Sequence, residues 1–175
     1  MAQALEFFFD EPADAAVRAL WQRLELAGVP SLLSHTHRRH RPHVTFALGG
    51  SVSPAARAEL REDLARLSLP NVWLYTLGTF PTADNGLFLG AVADAELLAV
   101  HRTVHDALVG RVRDPWAYYL PGAWVPHCSL AQGITANQLA TGFATVHPAQ
   151  PIRAAIAEVG ITDTRTGDVD LLWRR

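Results

Sequence analysis

The feature that most constrains this chain is a repeated order of secondary-structure signals, spaced by about half its length. Apolar runs at 5–9 and 87–92 read as strands, helical patterns follow from 12 and 94, and strands centred on His43 and His127 come next. The offsets are 82, 82 and 84 residues in a chain of 175. The letters of the two halves do not match, so what repeats is the order of elements. Such a repeat predicts two α/β lobes about a pseudo-two-fold axis, with ligands favoured at the seam between them. Several strands are joined by short turns, so the sheets are expected to be largely antiparallel, an α+β arrangement around a central cleft. The expected organisation is one domain over 1–175, with lobes of about 1–80 and 81–175 free to exchange strands.

The local signals support this order. A helix is predicted over 12–27, with Pro12 in its first turn, Gly28 at its end, and Val17, Leu20, Trp21 and Leu24 in one apolar stripe. Residues 31–37 and 42–48 read as two strands joined by a basic turn. Pro54 opens a second helix to about 67, and a strand follows at 72–80. In the second half, a helix over 94–109 places Leu97, Leu98, His101, Val104, His105 and Leu108 on its inner side. An aromatic segment at 115–124 leads to a strand at 125–131. A short helix at 135–146, a strand near 152–162 and a last strand at 168–173 complete the prediction.

Within the two histidine strands lies a short motif found twice. Arg41-Pro42 precede His43-Val44-Thr45-Phe46, and Val125-Pro126 precede His127-Cys128-Ser129-Leu130. Side chains alternate faces along a strand, so His43 and Thr45 share one face while Val44 and Phe46 point to the core. The same alternation pairs His127 with Ser129 and buries Cys128 and Leu130. Each strand then offers one imidazole and one hydroxyl to the seam.

These groups suit the opening of a cyclic phosphodiester. One imidazole can take a proton from water while the other protonates the departing sugar oxygen. The hydroxyls of Thr45 and Ser129 can donate to the non-bridging phosphate oxygens and stabilise charge as it develops. That division of labour requires no metal and no cofactor.

The paired motifs, the Leu87-Phe88-Leu89-Gly90 strand and the helix carrying His101 and His105 together resemble the 2H phosphoesterase superfamily, the 2′–5′ RNA ligase-like proteins and 2′,3′-cyclic phosphodiesterases. The resemblance implies a bilobal fold with both motifs in a central cleft, and His43, Thr45, His127 and Ser129 as catalytic residues. It also implies RNA ends or cyclic nucleotides as substrates. Hydrolysis of a cyclic phosphate, 2′–5′ ligation of RNA ends, hydrolysis of ADP-ribose-type cyclic phosphates and a non-catalytic RNA- or nucleotide-binding role all stay open at this point.

Other residues carry weaker signals. His35, His37, His40 and His43, with three arginines, fall within nine residues. Their spacing is unlike zinc knuckles, so a solvated or phosphate-facing turn is favoured over a metal site or a structural protein built on the cluster. In this turn Arg39 and Arg41 are candidates for a substrate phosphate. His101 and His105 are spaced to share a helix face, where hydrogen bonds at the edge of the core are the expected fate. Trp116, Tyr118, Tyr119 and Trp124 could stack bases or build core, with Tyr118 and Tyr119 the better candidates for substrate contact. Cys128 points away from His127, which argues against a thiol nucleophile.

Composition sets the outer limits. The net charge of −2 provides no global basic field for duplex DNA, and all 15 basic residues are arginine. A single cysteine forms no internal disulfide and suits a reducing cytoplasm. No segment reads as a targeting or membrane-spanning stretch, and a monomer is expected.

Overall fold

The architecture comes from a computed structural model that describes residues 2–175. In chain order the elements are β1 (Gln3–Phe9), α1 (Glu11–Leu26), β2 (His43–Gly49), α2 (Pro54–Arg66), β3 (Val72–Thr79), β4 (Leu87–Ala91) and α3 (Ala95–Leu108). There follow a 3₁₀ turn (Ala117–Tyr119), β5 (His127–Ala131), α4 (Ala136–Val146), β6 (Ile152–Ala154), β7 (Ile156–Asp163) and β8 (Val169–Arg174).

Helix boundaries follow local chemistry. Ser53 caps α2 by accepting from the Ala56 amide, and Asp94 caps α3 by accepting from Leu97. Thr135 and Gln138 form a reciprocal capping box at α4. Helix α1 buries the expected stripe of Val17, Leu20, Trp21 and Leu24, and Gly28 follows it at φ +76°. Of the residues expected on the inner side of α3, Leu98 alone is exposed, because it sits beside Leu97 on the turn that faces water.

Two four-stranded antiparallel sheets result, ordered β2-β1-β7-β8 and β5-β4-β3-β6. The two halves of the chain interlock rather than sit side by side. Strand β3, from the first half, pairs with β4 and β6, while β7 and β8 return from the second half to pair beside β1. Helix α1 follows β1 yet packs on β5, β6 and α4, and α3 follows β4 yet packs on β2 and α2. One continuous hydrophobic core results, drawing on both sheets and including Phe7, Trp21, Phe46, Leu74, Leu89 and Leu130.

Two expected strands need correction. Residues 31–37 form turns, because the carboxylate at the end of α1, Glu25, gathers the Ser31 amide and the Ser31 and Ser34 hydroxyls. Positive φ at Thr36 and Arg38 then breaks any extended path. The single strand expected near 152–162 is two, β6 in one sheet and β7 in the other. The chain crosses between sheets at Ala155, whose carbonyl accepts from the Asp10 amide at 2.9 Å. Among the described residues no helix is long and apolar enough to cross a membrane.

Candidate active site

Strands β2 and β5 lie at the edges of their sheets and against each other, so each has backbone groups that no ladder satisfies. Two indoles supply partners from the opposite half of the fold. Trp124, just before β5, donates from Nε1 to the Thr45 carbonyl of β2 at 3.0 Å. Trp21, on α1, donates from Nε1 to the Ser129 carbonyl of β5 at 3.1 Å. The two motif strands are thereby held from opposite sides of the seam, each at the residue that bears the hydroxyl.

Alternation along both strands is as the spacing requires. Val44, Phe46, Cys128 and Leu130 are buried in the core. His43, Thr45, His127 and Ser129 are half-buried and line one cavity of about 330 Å³. The imidazoles are oriented in the same way. His43 Nδ1 donates to the Arg41 carbonyl at 2.6 Å, and His127 Nδ1 donates to the Val125 carbonyl at 2.7 Å. In each case the acceptor is two residues upstream, on the far side of the motif proline, and Nε2 is left for other partners.

The surroundings of the two rings then differ. His43 Nε2 faces Oε1 of Glu6 at 3.3 Å. His127 packs edge-on to Phe80 and beside Phe88, with ring centroids 5.0 Å away in both cases. Burial holds His127 below the ordinary histidine range, and the nearby His43 adds to this, against the opposing effect of the Val125 carbonyl. Ser129 Oγ accepts from the Gln132 amide group at 3.1 Å.

The other candidates are divided by the fold. Tyr119 lines the cavity with Trp116, whereas Tyr118 is 81% exposed and lies outside the lining. Arg39 pairs with Asp168, and Arg41 pairs with Glu158 while lying over the Phe8 ring. Neither guanidinium lines the cavity. His35, His37 and His40 do line it, with the His37 and His40 rings 4.1 Å apart. Burial, and then the neighbouring His37, His43 and His35, push His40 down to about 3. Among the described residues no group of three or more His, Cys, Asp or Glu is placed to hold a metal ion.

His101 and His105 belong to the core. Both rings bond the Phe46 carbonyl through Nε2, and His101 also reaches the Tyr119 carbonyl and stacks on Trp124 at 3.9 Å. They brace the floor beneath β2 without entering the cavity. Burial drives the Cys128 thiol up to about 12, which leaves it a small core residue.

Sequence reasoning missed Glu6 and Thr162. Glu6 is 8% exposed on β1, in register with Thr45, and its Oε2 accepts from the Thr162 hydroxyl at 2.5 Å. The available signal was a lone carboxylate inside the otherwise apolar run at 5–9, on the alternating face opposite Leu5 and Phe7.

A family model described as the 2′-5′ RNA ligase superfamily matches residues 9–168. No curated protein matches the sequence. Among solved structures, Kluyveromyces marxianus Usb1 with uridine monophosphate is similar with a TM-score of 0.51 and 11% identity, over 98% of this chain and 97% of that one. A second structure of Usb1 from the same organism gives a TM-score of 0.49 and 12% identity, over 98% and 97%. The first of these likenesses shows a shared fold.

Proposed function

The chain belongs to the 2′-5′ RNA ligase superfamily of 2H phosphoesterases, and on that premise we propose that it opens 2′,3′-cyclic phosphates of RNA ends or nucleotides by two-histidine acid/base catalysis. The observation that carries this reading is the matched pair of imidazoles, each with Nδ1 on a carbonyl two residues upstream and both lining one cavity with a hydroxyl partner.

The unequal surroundings of the rings suggest their roles. His127 is held towards its neutral form by burial, with Nδ1–H engaged, so Nε2 offers a lone pair and takes the proton of the attacking water. His43 Nε2 faces a carboxylate oxygen, a geometry in which that nitrogen carries hydrogen, so it protonates the departing sugar oxygen. Water oxygen bonds to phosphorus as the bond from phosphorus to the 2′ or 3′ oxygen breaks. Thr45 and Ser129 donate to the non-bridging oxygens through the transition state. These groups complete the reaction without assigning any step to a metal. A monomer is the proposed state, and the single buried thiol suits a reducing, cytoplasmic setting.

The test is hydrolysis of the four nucleoside 2′,3′-cyclic monophosphates in EDTA by wild type, His43→Ala and His127→Ala. Turnover by the wild type alone is expected, with either variant reduced on the order of 10³-fold. Undiminished turnover by His43→Ala overturns the assignment.

A further inference from the structure

We propose that Glu6 sets the charge specificity of this cavity: its carboxylate rejects phosphate groups bearing two negative charges, so the site accepts a monoanionic phosphodiester and expels the ring-opened monoester. This rests on the cyclic-phosphate reading above.

A carboxylate is an unexpected lining for a phosphate site, and here each of its oxygens has a partner. Its Oε2 is pinned by the buried Thr162 hydroxyl, and its Oε1 lies 3.3 Å from His43 Nε2. A phosphate in contact with His43 Nε2 therefore sits within roughly 6 Å of the carboxylate. Apart from the proton that His43 carries as the acid, the described lining offers the carboxylate no permanent positive charge. No arginine is present among the described lining residues, because Arg39 and Arg41 are held by Asp168 and Glu158 outside it. Of the five histidines in the described lining, burial holds His35, His40 and His127 towards their neutral forms, and His37 and His43 are the other two. Burial also raises the Tyr119 hydroxyl, and the charge of Glu6 across the cavity adds to that effect.

Turnover changes the ligand's charge in this setting. The cyclic diester carries one negative charge. Addition of water and cleavage of one phosphorus–oxygen bond yield a monoester, whose second proton is lost to solvent with a pKa near 6. Repulsion of that second charge at about 6 Å, with an effective dielectric constant of about 20, weakens binding on the order of 100-fold. Partial exposure to water reduces this, so at least about tenfold is expected.

The experiment compares wild type, Glu6→Gln and Glu6→Asp at pH 8, where the monoester is a dianion. It reads KM for a nucleoside 2′,3′-cyclic monophosphate and Ki for the corresponding monoester. Glu6→Gln should lower the ratio of Ki to KM at least about tenfold, and Glu6→Asp should keep it close to wild type. A change in packing alone would move both constants together. An unchanged ratio in Glu6→Gln, or an equal fall in Glu6→Asp, overturns the proposal. A measurement on the unaltered protein guards against a variant that does not fold. A nucleoside monophosphate should bind at least about tenfold more weakly than its methyl ester, a monoanion, and equal or tighter binding of the monoester overturns the proposal. If the wild type shows no turnover, both ligands survive on the protein and their Kd values give the same ratio. Failure of the catalytic reading is then distinguishable from failure of the charge filter.

Discussion

Replacing Trp124 by phenylalanine tests whether the indole bonds hold the motif strands. The substitution keeps a ring against Phe46 and His101 but removes the donor to the Thr45 carbonyl. Strand β2 is an edge strand, and Trp124 is only 9% exposed, so water does not readily replace the lost donor. An unsatisfied buried carbonyl costs about 1–3 kcal/mol, and the smaller ring adds roughly 1 kcal/mol of cavity cost. The sum, about 2–4 kcal/mol, corresponds to a fall in Tm of roughly 5–12 °C for a domain of this size. Trp21→Phe should behave similarly through the Ser129 carbonyl. Trp116→Phe is the control, because Trp116 is 52% exposed and should stay within about 0.5 kcal/mol of wild type. Urea denaturation gives the free energies, and thermal melting followed by circular dichroism gives the shift. A Trp124→Phe protein that melts within about 1 °C of wild type would refute the bracing role.

Four further outcomes are expected. His101 is 2% exposed and is held down to about 4, chiefly by burial, so below the ordinary value of 6.5 the unfolded chain binds a proton that the folded chain does not. Stability should therefore be full above about pH 6.5 and fall as pH drops towards 4, by up to about 3 kcal/mol from this residue; urea titrations at pH 7.5 and 4.5 measure it, and a flat profile contradicts it. Cys128 should resist thiol reagents in the native protein and react fully in denaturant, as a colorimetric thiol assay with and without guanidinium can show. Ser129→Ala should keep its fold and lose on the order of 10- to 100-fold in kcat, less than either histidine variant, in steady-state kinetics. Gly167→Ala should destabilise by about 1–2 kcal/mol in denaturant titration, because φ is +74° and a Cβ would stand 2.5 Å from the His37 ring.

Local pattern was most informative where one face of an element is wet and the other dry. The α1 stripe and the two-residue alternation in His43–Phe46 and His127–Leu130 both follow from such contrasts. Residues 31–37 are turns and not the expected strand because β-like composition says nothing of Glu25, whose carboxylate draws Ser31 and Ser34 into turns. Apolar periodicity runs through 152–162 and predicts one strand, and no local signal marks the change of sheet at Ala155.

By itself, then, the sequence determined the order of most elements, their recurrence at about half the chain length and the pairing of an imidazole with a hydroxyl on each motif strand. These depend on period and residue type, which are local quantities. Only the tertiary structure decided which strands share a sheet, that Trp21 and Trp124 reach the carbonyls of Ser129 and Thr45, and that Glu6 stands beside His43. It also decided that Arg39 and Arg41 spend their charge on Asp168 and Glu158 rather than on the cavity. Each of these joins residues far apart in the chain, and their contact depends on how two interlocked halves bury one core.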